Sequence, residues 1–280
     1  MPTSGLKVRR HLVETEHGHV HMRTAGEGGV PLLCLTGALS CGRDYEPLAR
    51  ALGPDRLVVM PDRLGYGDSD RLAAPITFPE YANSTIAVLD ALGVESCDVF
   101  GVHTGSSEAI ELATAHPSRI RRLAVVELPA FSAAEIEEFK SHYTVHPAPV
   151  EDGSHLRWYW DWWATGGEGG GAHRPVSRPP EVIQPWVIDH LDALPDLWWS
   201  FAATIEHPIA ELVQRVTQPM LVLSTHDDLH EQTLHAIPTL PANARVVELP
   251  HLADVLRFYA WDDETLADLL PILRDFYDTP

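Results

Sequence analysis

Basic residues and cysteines are scarce in this 280-residue chain, and long apolar runs are missing altogether. With 20 Lys and Arg against 40 Asp and Glu, the formal charge is −20. That field repels polyanions, so no nucleic-acid partner and no anionic membrane surface is expected. Cys34, Cys41 and Cys97 form neither a CxxC pair nor a paired framework. A disulfide scaffold is thereby excluded, and a reducing, cytoplasmic setting fits best. No window approaches the ~18 apolar residues of a membrane span. The N-terminal MPTSGLKVRRHLVE also lacks the apolar centre of a signal peptide.

What is present suits one large α/β domain that buries its core without covalent support. Short β-branched runs recur, each closed by Gly, Asp or Pro and most followed by a helical pattern. Six stand out: residues 31–36, 56–61, 97–101, 123–127, 220–224 and 245–249. Ahead of them, HLVETEHGHVHMRTAGEG alternates about a turn at His17-Gly18 and predicts an edge hairpin. Residues 83–92 predict a helix stopped by Gly93. Between Phe131 and Val213 the strand pattern disappears and Trp, Pro, His and Gly take over. This predicts an inserted cap, residues 131–213, between two parts of a core, 1–130 and 214–280. Its first helix is announced by Ser132 with Glu135 three residues later. A glycine-rich hinge follows at 164–172.

The informative stretch is DVFGVHTGSS, residues 98–107, where an apolar run enters Gly-x-His-x-Gly and a helical pattern follows at once. Strand, tight turn and helix together form the frame of a nucleophile elbow, which holds its central side chain at the strand tip. Here the chain resembles the α/β-hydrolase superfamily over nearly its whole length apart from the cap. PDRLGYGDSD at 61–70 looks like that family's Asp-x-x-Gly-x-Gly-x-Ser, and LLCLTG at 32–37 looks like its strand followed by His-Gly. The resemblance implies a mainly parallel twisted sheet with helices on both faces and an inserted helical cap.

The catalytic positions depart from that pattern, since the family's serine is His103 here and its His-Gly is Thr36-Gly37. The resemblance places the acid after the penultimate long strand, at Asp227 or Asp228, with Asp228 matching the family's Gly-x-x-Asp spacing. A second place for an acid is Glu127. For the family's histidine it offers His251, directly after Pro250, and Asp254 near the expected position. The oxyanion hole survives these changes because it consists of backbone N–H groups, here those of Ala38 and Thr104.

Three readings of His103 stand open. It is a nucleophile forming an acyl-imidazole, or a general base near an ordinary imidazole pKa of ~6.5, or the relic of a ligand-binding receptor. Thr36, Glu127, Trp158, Trp162 and Trp186 are expected to border the substrate, although the tryptophans equally suit packing within the cap. Neither metal nor organic cofactor is expected. His17, His19 and His21 alternate as water-facing strand residues do, and Gly65-Tyr-Gly67 lacks the lysine of a phosphate loop. The expected activity is attack at a carbonyl of a small hydrophobic or aromatic molecule, with ester, lactone or thioester hydrolysis foremost. Proton-transfer chemistry giving lyase, cyclase or cofactor-free oxygenase outcomes is the alternative. A homodimer is compatible with all of these.

Overall fold

A computed structural model describes residues 6–142, 147–165, 179–195, 197–253 and 261–279. Its centre is an eight-stranded sheet in the order β1-β2-β4-β3-β5-β6-β7-β8. β1 (Arg9–Thr15) and β2 (Gly18–Ala25) form the hairpin, and β2 runs antiparallel to β4 (Val58–Pro61). β3 (Leu32–Leu35), β5 (Cys97–Val102), β6 (Ile120–Val126), β7 (Met220–Ser224) and β8 (Ala244–Glu248) continue the sheet in parallel.

The sequence dictates this layering directly. Side chains alternate between the two faces of a strand, so an apolar run without polar interruption needs cover on both sides. Leu33, Val59, Val99, Leu123 and Val222 join one buried cluster, whereas Leu32, Val58, Phe100, Ala124 and Leu221 join the other. The first face is covered by α2 (Phe78–Ala91) and α3 (Thr104–Ala115), the second by α1 (Glu46–Leu52) and α10 (Asp263–Asp278). β1, at the edge, alternates exposed and half-buried residues as its hairpin pattern predicts.

Most expected strands sit within a residue or two of their observed bounds. The helix expected at 83–92 begins five residues earlier, because Thr77 and Glu80 close a reciprocal capping box around Phe78-Pro79. Between β6 and β7 the chain is helical, with α4 (Ala133–His142), α5 (Ser154–Thr165), α6 (Pro180–Asp192), α7 (Trp199–Glu206) and α8 (Ile209–Leu212). The Ser132–Glu135 start of α4 is present, with Glu135 Oε2 accepting from the Ser132 amide at 2.7 Å. Residues 166–178, which include most of the expected hinge, lie outside the described residues.

Two glycines let β5 and α3 cross. A Cβ on Gly101 would lie 2.4 Å from the Gly105 carbonyl oxygen, and one on Gly105 would lie 2.1 Å from the Leu35 carbonyl oxygen. Because the obstacles are backbone atoms, neither can swing aside. Gly105→Ala is therefore expected to lose at least about 2 kcal/mol of stability in urea denaturation, through forced separation of β3, β5 and α3.

Candidate active site

His103 occupies the turn between β5 and α3 with φ 51° and ψ −109°. Its amide still donates to the Val126 carbonyl at 3.0 Å, and its carbonyl accepts from Ser106 at 2.8 Å. The residue is thus tied to the neighbouring strand on one side and to the first helical turn on the other. The ring, 14% exposed, donates Nε2–H to Asp227 Oδ2 at 2.7 Å. A carboxylate can only accept, so this bond fixes the proton on Nε2 and leaves Nδ1 as the basic nitrogen of the neutral ring.

Asp227 is itself held on several sides. Its Oδ1 accepts from the Leu229 amide at 2.9 Å, and its Oδ2 also accepts from the Thr225 hydroxyl at 3.2 Å. Burial works to raise this carboxyl, but the charge and hydrogen bond of His103, with help from Leu229 and Thr225, hold it below the usual carboxylate range. Glu127, at the end of β6 and with no exposed surface, behaves oppositely. Burial pushes its carboxyl up and the adjacent Asp227 charge adds to the shift, against the hydrogen bonds of Thr233 and the Thr225 amide and the charge of His103. Two neighbouring acids are thus shifted in opposite directions.

On the other flank, the Thr36–Ala38 turn is braced by a buried cation. Arg63 Nη2 donates to the Thr36 carbonyl at 2.8 Å and Nη1 to the Gly37 carbonyl at 3.4 Å, while the same guanidinium pairs with Glu108 of α3 at 2.8 Å. In a trans peptide the C=O and N–H point opposite ways. Drawing the Gly37 carbonyl to Arg63 therefore turns the Ala38 N–H away from it. The Thr104 amide opens α3, where the first amides of a helix have no intrahelical acceptor. These are the two expected oxyanion donors. Arg63 and Glu108 were not anticipated, although an arginine directly after Asp62 in PDRLGYGDSD was available as a signal.

The helical segment packs onto these turns. Thr204 of α7 donates its hydroxyl to that of Thr104 at 3.2 Å, and Ser200 donates to the Tyr66 hydroxyl at 2.6 Å. Leu39, Tyr66, Trp162, Ala193 and Leu197 form one apolar cluster across this contact.

The family of the alpha/beta hydrolase fold matches residues 30–152. A 2-hydroxymuconate semialdehyde hydrolase from Pseudomonas sp. (strain CF600) is 33% identical over 127 residues, 44% of this chain and 45% of that protein. The chain spans less than half the length of the first such relatives it matches. Among solved structures, a mutant of the N-acyl homoserine lactonase AidH, complexed with N-hexanoyl homoserine, aligns over 98% of this chain and 99% of its own at TM-score 0.70 and 20% identity. The epoxide hydrolase CorEH aligns over 97% and 99% at TM-score 0.73 and 18% identity. The fold is that of the α/β hydrolases.

Within this α/β-hydrolase frame several expected positions shift. The acid bonded to His103 is Asp227, not Asp228. β7 ends at Ser224, and His226 takes a left-handed turn at φ 58° that brings the earlier aspartate under the ring. Asp228 still lies close, since His103, Asp227 and Asp228 offer ligand atoms within 4.8 Å of one another. His251 does not face His103: its ring, 56% exposed, pairs with Asp268 of α10 at 3.0 Å. Asp254 lies outside the described residues. Glu127 accepts from the Thr225 and His226 amides, and the main-chain carbonyl of Thr36 accepts from Arg63. Of the tryptophans, Trp162 belongs to the cluster beside the site, half-buried Trp158 borders it, and Trp186 sits in a separate cluster with Tyr159, Ile183 and Val187.

Two other groups of possible cation ligands occur among the described residues, His21–Asp62–Asp68 and Cys41–Asp44–Asp189. Each already holds a guanidinium: Arg23 on Asp62 at 3.1 Å, and Arg43 on Asp189 at 2.6 Å.

Proposed function

We propose that this chain is a hydrolase that acts on a small ester, lactone or thioester through a two-residue unit, His103 and Asp227, at the nucleophile elbow. The observation that carries this is the 2.7 Å bond from His103 Nε2 to a buried, ionised Asp227. In a serine triad the acid orients an imidazole that in turn activates a hydroxyl. Here the imidazole stands at the serine's own position, so acid and base meet directly and water takes the place of the hydroxyl.

His103 acts as general base through Nδ1. That nitrogen is the one left basic once Nε2 donates to Asp227, and it takes a proton from water. As water attacks the carbonyl carbon, its proton passes to Nδ1 and the carbonyl electrons move to oxygen. The Ala38 and Thr104 amides hold that oxyanion. Collapse expels the alkoxide or thiolate, which receives the proton back from the imidazolium, whose charge Asp227 has balanced throughout. Residues 131–213 serve as a cap, and the Leu39–Trp162–Leu197 cluster gives the site an apolar roof suited to a hydrophobic acyl or aryl group. The hydrolase names of the relatives support the reaction class.

p-Nitrophenyl acetate, p-nitrophenyl butyrate and S-phenyl thioacetate test this reading. Turnover with no acyl adduct in intact-mass spectra is expected. An acyl group on His103 would replace the base with a nucleophile, and failure to hydrolyse any of the three would remove the reading.

A further inference from the structure

Three adjacent parallel strands end in the same unusual way. His103 after β5, Glu127 after β6 and His226 after β7 are all non-glycine residues with positive φ, at 51°, 51° and 58°. Left-handed backbone costs on the order of 1 kcal/mol or more for such residues and persists where its surroundings over-determine it. The first and third of these turns present the reacting pair, since His226 immediately precedes Asp227. The middle one carries a carboxyl with no surface exposure that the hydrolytic scheme does not use.

That carboxyl reaches across to the third turn. Glu127 Oε1 accepts from the Thr225 amide at 2.6 Å and the His226 amide at 2.9 Å, and lies 3.3 Å from the Thr225 hydroxyl. Thr225 places the same hydroxyl 3.2 Å from Asp227 Oδ2. One oxygen thus gathers two successive amides of a strained turn and the hydroxyl that also touches the catalytic acid. The Glu127 amide is anchored to the Leu223 carbonyl at 3.1 Å, and the next amide, that of Leu128, donates to Thr233 of α9 (His230–Ala236) at 2.7 Å. Both ends of the brace are therefore fixed.

We propose that Glu127 is a positioning residue: its carboxyl clamps the Thr225–His226 turn so that Asp227 stays against His103 Nε2 and the ring keeps its reactive tautomer. The proposal rests on the reading of His103 and Asp227 as the reacting pair. What the clamp needs is an acceptor oxygen, not a charge. A second ionised acid beside Asp227 would instead favour the imidazolium and remove the basic nitrogen. The opposed directions of the two carboxyls, Glu127 raised and Asp227 lowered, fit a brace that takes up a proton more readily than the acid beside it.

Glu127→Gln keeps an acceptor oxygen and the shape of a neutral acid, Glu127→Ala removes both, and Glu127→Leu removes the acceptor while filling the space if the alanine variant fails to fold. The ring nitrogens of His103 are read by 15N NMR in the free protein, and p-nitrophenyl acetate hydrolysis is read beside it. In wild type and Glu127→Gln the proton is expected on Nε2, with kcat within about threefold. In Glu127→Ala or Glu127→Leu a mixture of tautomers is expected, with kcat down on the order of 100-fold and KM nearly unchanged, short of the ~10^4-fold expected when the acid itself is lost. A His103 tautomer indifferent to both acceptor-deleting variants overturns the clamp. An ordered tautomer that responds to Glu127 in a protein without esterase turnover overturns the hydrolase reading and leaves the clamp standing.

Discussion

Replacing Asp227 with asparagine is expected to lower kcat about 10^4-fold while leaving KM and the fold nearly intact. The amide oxygen, in the place of Oδ1, can still accept from Leu229, so the loop after β7 keeps its main-chain anchor, while the Thr225 donation to Oδ2 is lost. Asparagine can also turn an NH2 toward Nε2, which makes that nitrogen the acceptor and moves the ring proton to Nδ1. Proton abstraction by Nδ1 is then blocked. Steady-state kinetics on p-nitrophenyl acetate measures the effect, and a loss smaller than about tenfold would mean that the pair does not carry the chemistry. The same substitution has a signature in stability. Because the wild-type carboxyl is held below the usual range, its ionised form contributes stability above the unfolded value near pH ~4. That contribution disappears as pH falls through the lower folded-state value. Urea midpoints should therefore fall less steeply on acidification in Asp227→Asn than in wild type.

The architecture was largely legible in the sequence, for reasons that lie in particular residues. LLCL, VVMP and MLVL are short apolar runs without interruption, as a strand covered on both faces requires, and each lies in a buried strand. The Gly101 and Gly105 frame announced the turn because only glycine fits where backbones pass within about 2 Å of an added Cβ. The start of α2 was also written in the chain, in Thr77-Phe78-Pro79-Glu80, but the apolar period that marks the helix begins later than this cap. The choice between Asp227 and Asp228 was of another kind. It depends on a left-handed His226 that Glu127, about a hundred residues away in sequence, helps to hold, and no local pattern records that contact. The same holds for Arg63, whose task is to satisfy carbonyls of a turn distant in sequence. His251 was placed by analogy with a triad, yet a nearby exposed aspartate claims its ring.

With His251 engaged elsewhere, the largest effect is expected at His103. His103→Ala should reduce turnover of p-nitrophenyl acetate by about 10^4-fold or more, on the order of losing the base and its oriented water together. The turn should survive, since it is set by Gly101, Gly105 and the bonds of the His103 main chain to Val126 and Ser106. Added imidazole should restore part of the rate, because it can enter the vacated space and meet Asp227 as the native ring does. His103→Ser is the sharper test. It places a hydroxyl where the fold commonly carries its nucleophile, but a serine there needs an imidazole to deprotonate it, and the candidate His251 is committed to Asp268 at the surface. His103→Ser should therefore be as inactive as His103→Ala and equally responsive to imidazole. If it hydrolyses the ester unaided, a second base already faces the turn, and the account of a single imidazole working directly against Asp227 fails.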